Sequence, residues 1–176
     1  MTTIPLDHAA PTAPAASARP DPGPVGEVWW LACHGGAGTS TLAFLTGIGI
    51  DCGQHSPVHD FAAHPEVGVV LVYRASAWGA FSAEHTLGTL AALACPPRLL
   101  GTVVVGAEER RPARAVRERI DLVAANVPTQ WHVPFIRELL AAANPAQVGT
   151  HPAVAAVASA LGQLAAPSAS EATDGR

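Results

Sequence analysis

The run Cys33-His34-Gly35-Gly36-Ala37-Gly38-Thr39-Ser40-Thr41 holds the residue types whose spacing suits chemistry on an anion. Three glycines in four positions let the backbone turn sharply with its N–H groups pointing inward. A helix beginning at the hydroxyl residues adds its positive end, so the stretch is built as an anion cradle. The phosphate-binding pattern GxxxxGK[ST] asks for more: its lysine reaches the outer phosphates and the next hydroxyl ligates magnesium. Ser40 stands in the hydroxyl place, but Thr39 stands where the lysine belongs. All ten basic residues of the chain are arginines, so no lysine elsewhere substitutes. Two readings follow for Gly35, Gly36, Gly38 and Ser40: phosphate binding by backbone N–H groups, or a tight strand-to-helix turn with no ligand.

Other residues compete for a role. Asp51 reads as a strand-end aspartate capping the turn before Gly53 or, on the family resemblance given below, as the magnesium-side carboxylate alongside Ser40 and the candidate catalytic group. Arg74 is a candidate source of positive charge for the loop. Cys52, His55, His59, Asp60 and His64 combine metal-ligating types at short spacing. However, Pro57 and Pro65 frame a loop, the spacing fits no standard finger and no second CxxC or HExxH is present, so solvated histidines are expected. Cys33 and His34 suggest a thiol and its base, yet neighbours at a strand end point to opposite sides, which makes Cys33 a small buried residue. The arginines from Arg110 to Arg119 alternate with Glu108, Glu109, Glu118 and Asp121, the pattern of a solvated, ion-paired face and not of a nucleic-acid patch. Trp78 and Phe81 are expected in a Gly/aromatic loop, covering a ligand or a partner or folding back onto the core.

The chain of 176 residues is 49% hydrophobic and 14% charged, which suits one domain with a single core. No apolar run approaches the roughly 18 to 20 residues of a membrane span, and the first residues lack a signal-peptide pattern. Three scattered cysteines do not make a disulfide framework, and the expected location is the cytoplasm. A net charge of -4 gives no reason for direct nucleic-acid binding.

The elements that must position these groups are legible as short apolar runs alternating with helical patterns, the signature of a mostly parallel sheet. Residues 1–26 are a Pro/Ala-rich leader, expected to be disordered; 27–166 form the domain; 167–176 resemble the leader. Strands are expected at 28–32, 48–52, 67–73, 99–105 and 129–133. The third of these is a continuous apolar run, as for a strand covered on both faces. Helices are expected at 40–46 and 58–63, from an N-cap at Ser82 with Glu84 in the first turn, from Glu108-Glu109 and Pro112, after Pro134 and at 152–164. The resulting fold is a three-layer α/β sandwich with about five strands, whose ligand edge lies at the carboxyl ends of the strands.

The loop His34-Gly35-Gly36-Ala37-Gly38-Thr39-Ser40-Thr41 resembles the KGGxGK[ST][ST] loop of the ParA/MinD group of P-loop ATPases, with both lysines replaced. Gly49-Ile50-Asp51-Cys52-Gly53 is similar to that family's strand ending in an aspartate that faces magnesium. Val69 to Tyr73 with Ser76, Gly101 to Val105, and Trp131-His132-Val133-Pro134 are similar to its later strands. The likeness spans residues 28–137, and only the glycine loop in it is specific. The segment between the loop and Asp51 is shorter than in that family, and the double-proline switch after the aspartate is absent. The resemblance implies a reduced P-loop NTPase-like fold, with ATP and magnesium at His34 to Thr41, Asp51 and Arg74. It also implies a protein partner or a homodimer. Without the two lysines the expected role is that of a regulatory or scaffolding partner with weak or no ATPase activity. The alternative is an ATP-binding, slowly hydrolysing NTPase with His34 or Arg74 supplying the charge. A metal-dependent hydrolase built on the His55 to His64 loop is a distant third.

Overall fold

A computed structural model of the chain describes residues 26–54 and 61–165. The expected leader up to residue 25, the tail over 167–176, and His55, His59 and Asp60 lie outside the described residues, as does half of the helix expected at 58–63. Five strands, β1 (Glu27–Ala32), β2 (Ile50–Gln54), β3 (Val67–Arg74), β4 (Arg98–Val105) and β5 (Gln130–Val133), pair in parallel in the order β2-β1-β3-β4-β5. The helices are α1 (Thr39–Thr46), α2 (Ala77–Ala91), α3 (Arg114–Ala124), the single turn α4 (Glu138–Ala141) and α5 (Pro152–Ala165), with a 3-10 turn at Pro145–Gln147.

Side-chain alternation along the strands divides the core in two. Val28, Trp30, Ala32, Val70, Val72 and Val103 face one side, where Leu42 of α1 and Val154, Val157 and Leu161 of α5 pack against them. Leu31, Val69, Leu71, Tyr73 and Val104 face the other, covered by α2 and by Ile120 and Val123 of α3. β3 is buried on both faces from Val67 to Tyr73, which is why its sequence is continuous and apolar instead of alternating. The result is a three-layer α/β sandwich.

This strand order is one of the two common doubly wound orders, and its direction reverses between β1 and β3. Crossovers leave those two strands on opposite faces, so a crevice opens beyond their carboxyl ends. The glycine loop follows β1 and Arg74 ends β3, which puts both candidates at that crevice.

Three helix starts differ from expectation. α2 begins at Ala77, and its N-cap is Ser76, whose hydroxyl accepts the Gly79 N–H at 3.0 Å. Ser82 is buried inside the helix, and the expected Gly/aromatic loop is the helix's first turn. Tertiary packing explains the difference: a Cβ on Gly79 would lie 2.1 Å from the Arg74 carbonyl oxygen, so glycine is what lets α2 close against the end of β3. α3 starts at Arg114, beyond Glu108-Glu109 and Pro112, because Ala113 is the N-cap. The helix after Pro134 is only Glu138–Ala141, because the chain leaves it in an extended conformation at Ala142.

In an open helix, replacing glycine with alanine stabilises by about 1 kcal/mol, and Gly88 of the same helix has nothing within 4 Å of its Cβ position. Gly88→Ala is therefore expected to raise stability by about 1 kcal/mol, whereas Gly79→Ala is expected to lower it by about 1–3 kcal/mol through overpacking. Urea unfolding midpoints of the two variants, read side by side, check the opposite signs.

Candidate functional site

The Cys33 N–H donates to the Val72 carbonyl at 2.9 Å, the last ladder bond before the chain leaves β1. Gly36 (φ 73°) and Gly38 (φ 104°) then adopt left-handed backbone that a side chain would strain, and Gly38 becomes the N-cap of α1. Ala37, 1% exposed, anchors the loop in the core. Among the described residues, the N–H groups of Gly35, Gly36, Gly38, Thr39, Ser40 and Thr41 donate to no protein acceptor. Those of the first helical turn are the usual orphan donors of a helix start, here without a side-chain cap.

Ser40 and Asp51 meet. The Ser40 hydroxyl donates to Asp51 Oδ2, and Asp51 Oδ1 accepts the Gly53 N–H at 2.9 Å. One oxygen of the carboxylate thus caps the turn before Gly53, and the other holds the serine. β2 lies directly beside β1, and this adjacency brings residue 51 back to the first turn of α1.

His34 is 8% exposed and is fully engaged. Its Nε2 accepts the Arg74 backbone N–H at 3.1 Å, and its Nδ1 lies 2.9 Å from the Gly35 carbonyl oxygen. An accepting Nε2 leaves Nδ1 to donate to that carbonyl, so both ring nitrogens are engaged and His34 braces the loop against β3. Thr39, at the lysine position, is 6% exposed. Arg74 sends Nε to the Gly36 carbonyl oxygen at 3.2 Å and Nη1 to the Gly106 carbonyl oxygen at 2.9 Å. Its guanidinium therefore spans from the glycine loop to the residue after β4.

A cleft of about 200 Å³ opens beside the loop. Gly38, Thr41 and Arg74 line one part of it; the rest is apolar, from Leu42 and Leu45 of α1, Val105 and Val133 at the ends of β4 and β5, and Pro134, Phe135, Ile136, Leu139 and Leu140. Sequence reasoning missed this cleft and the Arg74 bridge. The bridge runs to backbone carbonyls, which leave no signature in residue types. The apolar residues of the cleft are indistinguishable in sequence from core.

The remaining candidates separate. The Cys33 thiol is pushed up to about 12 by burial, only partly offset by a hydrogen bond with Thr86, so it is no nucleophile at neutral pH. Burial also raises Cys52, with Asp51 and Glu27 adding to it. His64 Nδ1 lies 3.7 Å from Glu66 Oε1 with its ring against Trp29, and among the described residues no group of three His, Cys, Asp or Glu is placed to hold a metal. Arg114 pairs with Glu118 at 2.7 Å, Arg137 with Glu109 at 3.3 Å, and Arg117 donates to the Pro112 carbonyl, the bonds of a solvated face. Trp78 and Phe81 stack at 5.7 Å on the first turn of α2 and stay 65% and 47% exposed. No described helix is long and apolar enough to cross a membrane.

In comparison with known proteins, no family model, no curated protein and no solved structure matches this chain. The glycine loop, the Ser40–Asp51 contact and the strand order thus stand on their own geometry.

The raised Cys33 pKa sets an order of thiol reactivity. Because the thiolate is the reactive form, a thiol titrating near 12 stays protonated at pH 8. Alkylation of the native protein with iodoacetamide at pH 8 is expected to label exposed Cys95 first and Cys33 last, with Cys33 labelled readily only after urea is added; peptide mass spectrometry reads the order.

Proposed function

We propose that the chain is a reduced, degenerate ParA/MinD-like P-loop domain that acts as a regulatory or scaffolding partner with little or no ATPase activity. The observation that carries this reading is the lysine position, occupied by a buried Thr39. Phosphoryl transfer needs positive charge poised on the transferred group, and removing one such contact costs orders of magnitude in rate. Arg74 does not replace it freely, because its guanidinium is tied to the Gly36 and Gly106 carbonyls. Both ring nitrogens of His34 are already engaged, by the Arg74 N–H and the Gly35 carbonyl oxygen. The cleft beside the loop, about 200 Å³, falls below the roughly 300–1,000 Å³ usual for pockets that enclose a drug-sized ligand.

The assembly half of the proposal draws on the same edge of the sheet. Trp78 and Phe81, exposed and stacked on α2 just after β3, are the residue types enriched in protein interfaces. A partner protein, or a second copy, seated there would cover the crevice without any turnover in it.

A second reading is favoured by the Ser40–Asp51 contact. That pair, with the unpartnered loop N–H groups, supports an ATP-binding, slowly hydrolysing NTPase with magnesium at Ser40 and Asp51. Calorimetric titration of the purified protein with ATP and GTP, with and without magnesium, separates the two. No magnesium-dependent heat at millimolar nucleotide and no phosphate release are expected. Magnesium-dependent binding that disappears in Ser40→Ala would overturn the first reading in favour of the second.

A further inference from the structure

Arg74 is an arginine with an unbalanced charge. Among the described residues it forms no ion pair; its side-chain hydrogen bonds run to two backbone carbonyls, which hold the guanidinium in place without neutralising it. A guanidinium has five N–H donors in a planar fork, and these bonds use two. The same side chain lines the 200 Å³ cleft, and no carboxylate is among the lining residues. Thr41 and Gly38, at the uncapped start of α1, are the other polar neighbours. The remainder of the lining is aliphatic or aromatic, with Leu42, Leu45, Val105, Val133, Phe135 and Leu139 drawn from four elements or their ends.

From this we infer that the cleft is a binding site for a small apolar monocarboxylate, its carboxylate on Arg74 and the start of α1 and its ring or branched chain among the apolar residues. The charge argument selects an anion: a fixed arginine pairs bidentately with a planar carboxylate, and it need not be reordered to do so because the two carbonyls already hold it. The size argument selects a small one. An apolar cavity of about 150 Å³ accepts a benzene ring, so about 200 Å³ has room for one ring and a carboxylate but not for a nucleoside triphosphate. The lining argument selects an apolar body, since a polar one would leave its hydrogen-bonding groups unpaired against leucine and valine. The site adjoins the glycine loop but does not depend on phosphate binding there, and it gives the regulatory role a small-molecule input.

The test uses the full chain and three soluble probes: benzoate, benzamide and inorganic phosphate. Ligand-observed NMR and calorimetry are expected to give benzoate a Kd of about 1 mM or tighter. Benzamide, which keeps the ring and loses the charge, is expected to bind at least about tenfold more weakly, as is phosphate, which keeps charge and loses the ring. Arg74→Gln is expected to abolish the preference for benzoate over benzamide. Because that variant also loses its ties to Gly36 and Gly106, Leu139→Trp serves as a second, filling the cleft from half-exposed α4; it is expected to block benzoate while leaving the thermal unfolding temperature close to that of the parent. Benzoate binding no tighter than benzamide or phosphate, or unchanged in Leu139→Trp, would overturn the inference. Failure of this site and failure of the proposed function are read separately. Magnesium-ATP binding that is lost in Ser40→Ala, with benzoate binding retained, overturns the loop reading alone. Absence of benzoate binding in a protein that also ignores ATP overturns only the carboxylate site.

Discussion

Three strand ends at the carboxyl edge of the sheet are tied together by Arg74. Its backbone N–H is held by His34 from the loop after β1, its Nε reaches Gly36 in that loop, and its Nη1 reaches Gly106 beyond β4. Without these bonds the glycine loop would be attached to the rest of the edge mainly by the burial of Ala37 and the start of α1. A Gly-rich segment loses more conformational entropy on ordering than any other, so it needs such external fastening to hold one shape. The loop conformation and the outline of the cleft beside it both follow from where this one side chain is anchored. Charge-assisted bonds to carbonyls are each stronger than neutral ones, which suits an arginine to the task better than any uncharged residue.

The sheet was largely legible in the sequence because burial on both faces leaves a direct trace. Val67 to Tyr73 reads as a run of apolar residues for the same reason that it is fully covered, and all five strands fall within two residues of the positions expected from such runs. The start of α2 was not legible. Ala77-Trp78-Gly79-Ala80-Phe81 carries a glycine and two aromatics, which locally favour a loop, but Gly79 is required there by the Arg74 carbonyl lying against it, a contact made by the fold and not by neighbours in sequence. The same limit applies at the site. Ser40 and Asp51 could be paired from pattern because β2 follows α1 closely, whereas the partners of Arg74 are 38 and 32 residues away and are backbone atoms.

Strand order also decides what the loop can face. With β2 immediately beside β1, the carboxylate of Asp51 returns to the first turn of α1 and accepts the Ser40 hydroxyl, so one flank of the loop carries negative charge. The other flank carries Arg74, and between them Thr39 is buried and neutral. The formal charge contributed by these side chains sums to about zero, a poor match for a polyphosphate whose several negative charges must be balanced at close range. It is a good match for a division of labour across the edge: the Asp51 side suits a hydroxyl or a cation, and the Arg74 side suits a single anion.

That division bears on what such a loop can hold with no lysine beside it. The loop has two left-handed glycines and leads into an uncapped helix start. Positive charge at this edge sits on the neighbouring strand, at Arg74, which lines an apolar cleft formed by α1, the ends of β4 and β5, and α4. Charge fixed beside apolar surface favours selective recognition of one small amphipathic ion over accommodation of a large flexible one, because neither the arginine nor the cleft has to reorganise on binding. Occupancy of such a cleft would be felt by α1 and by α4 together, since both supply its lining, and α1 carries the start of the loop. Trp78 and Phe81 stand exposed on α2, which starts from this same edge of the sheet.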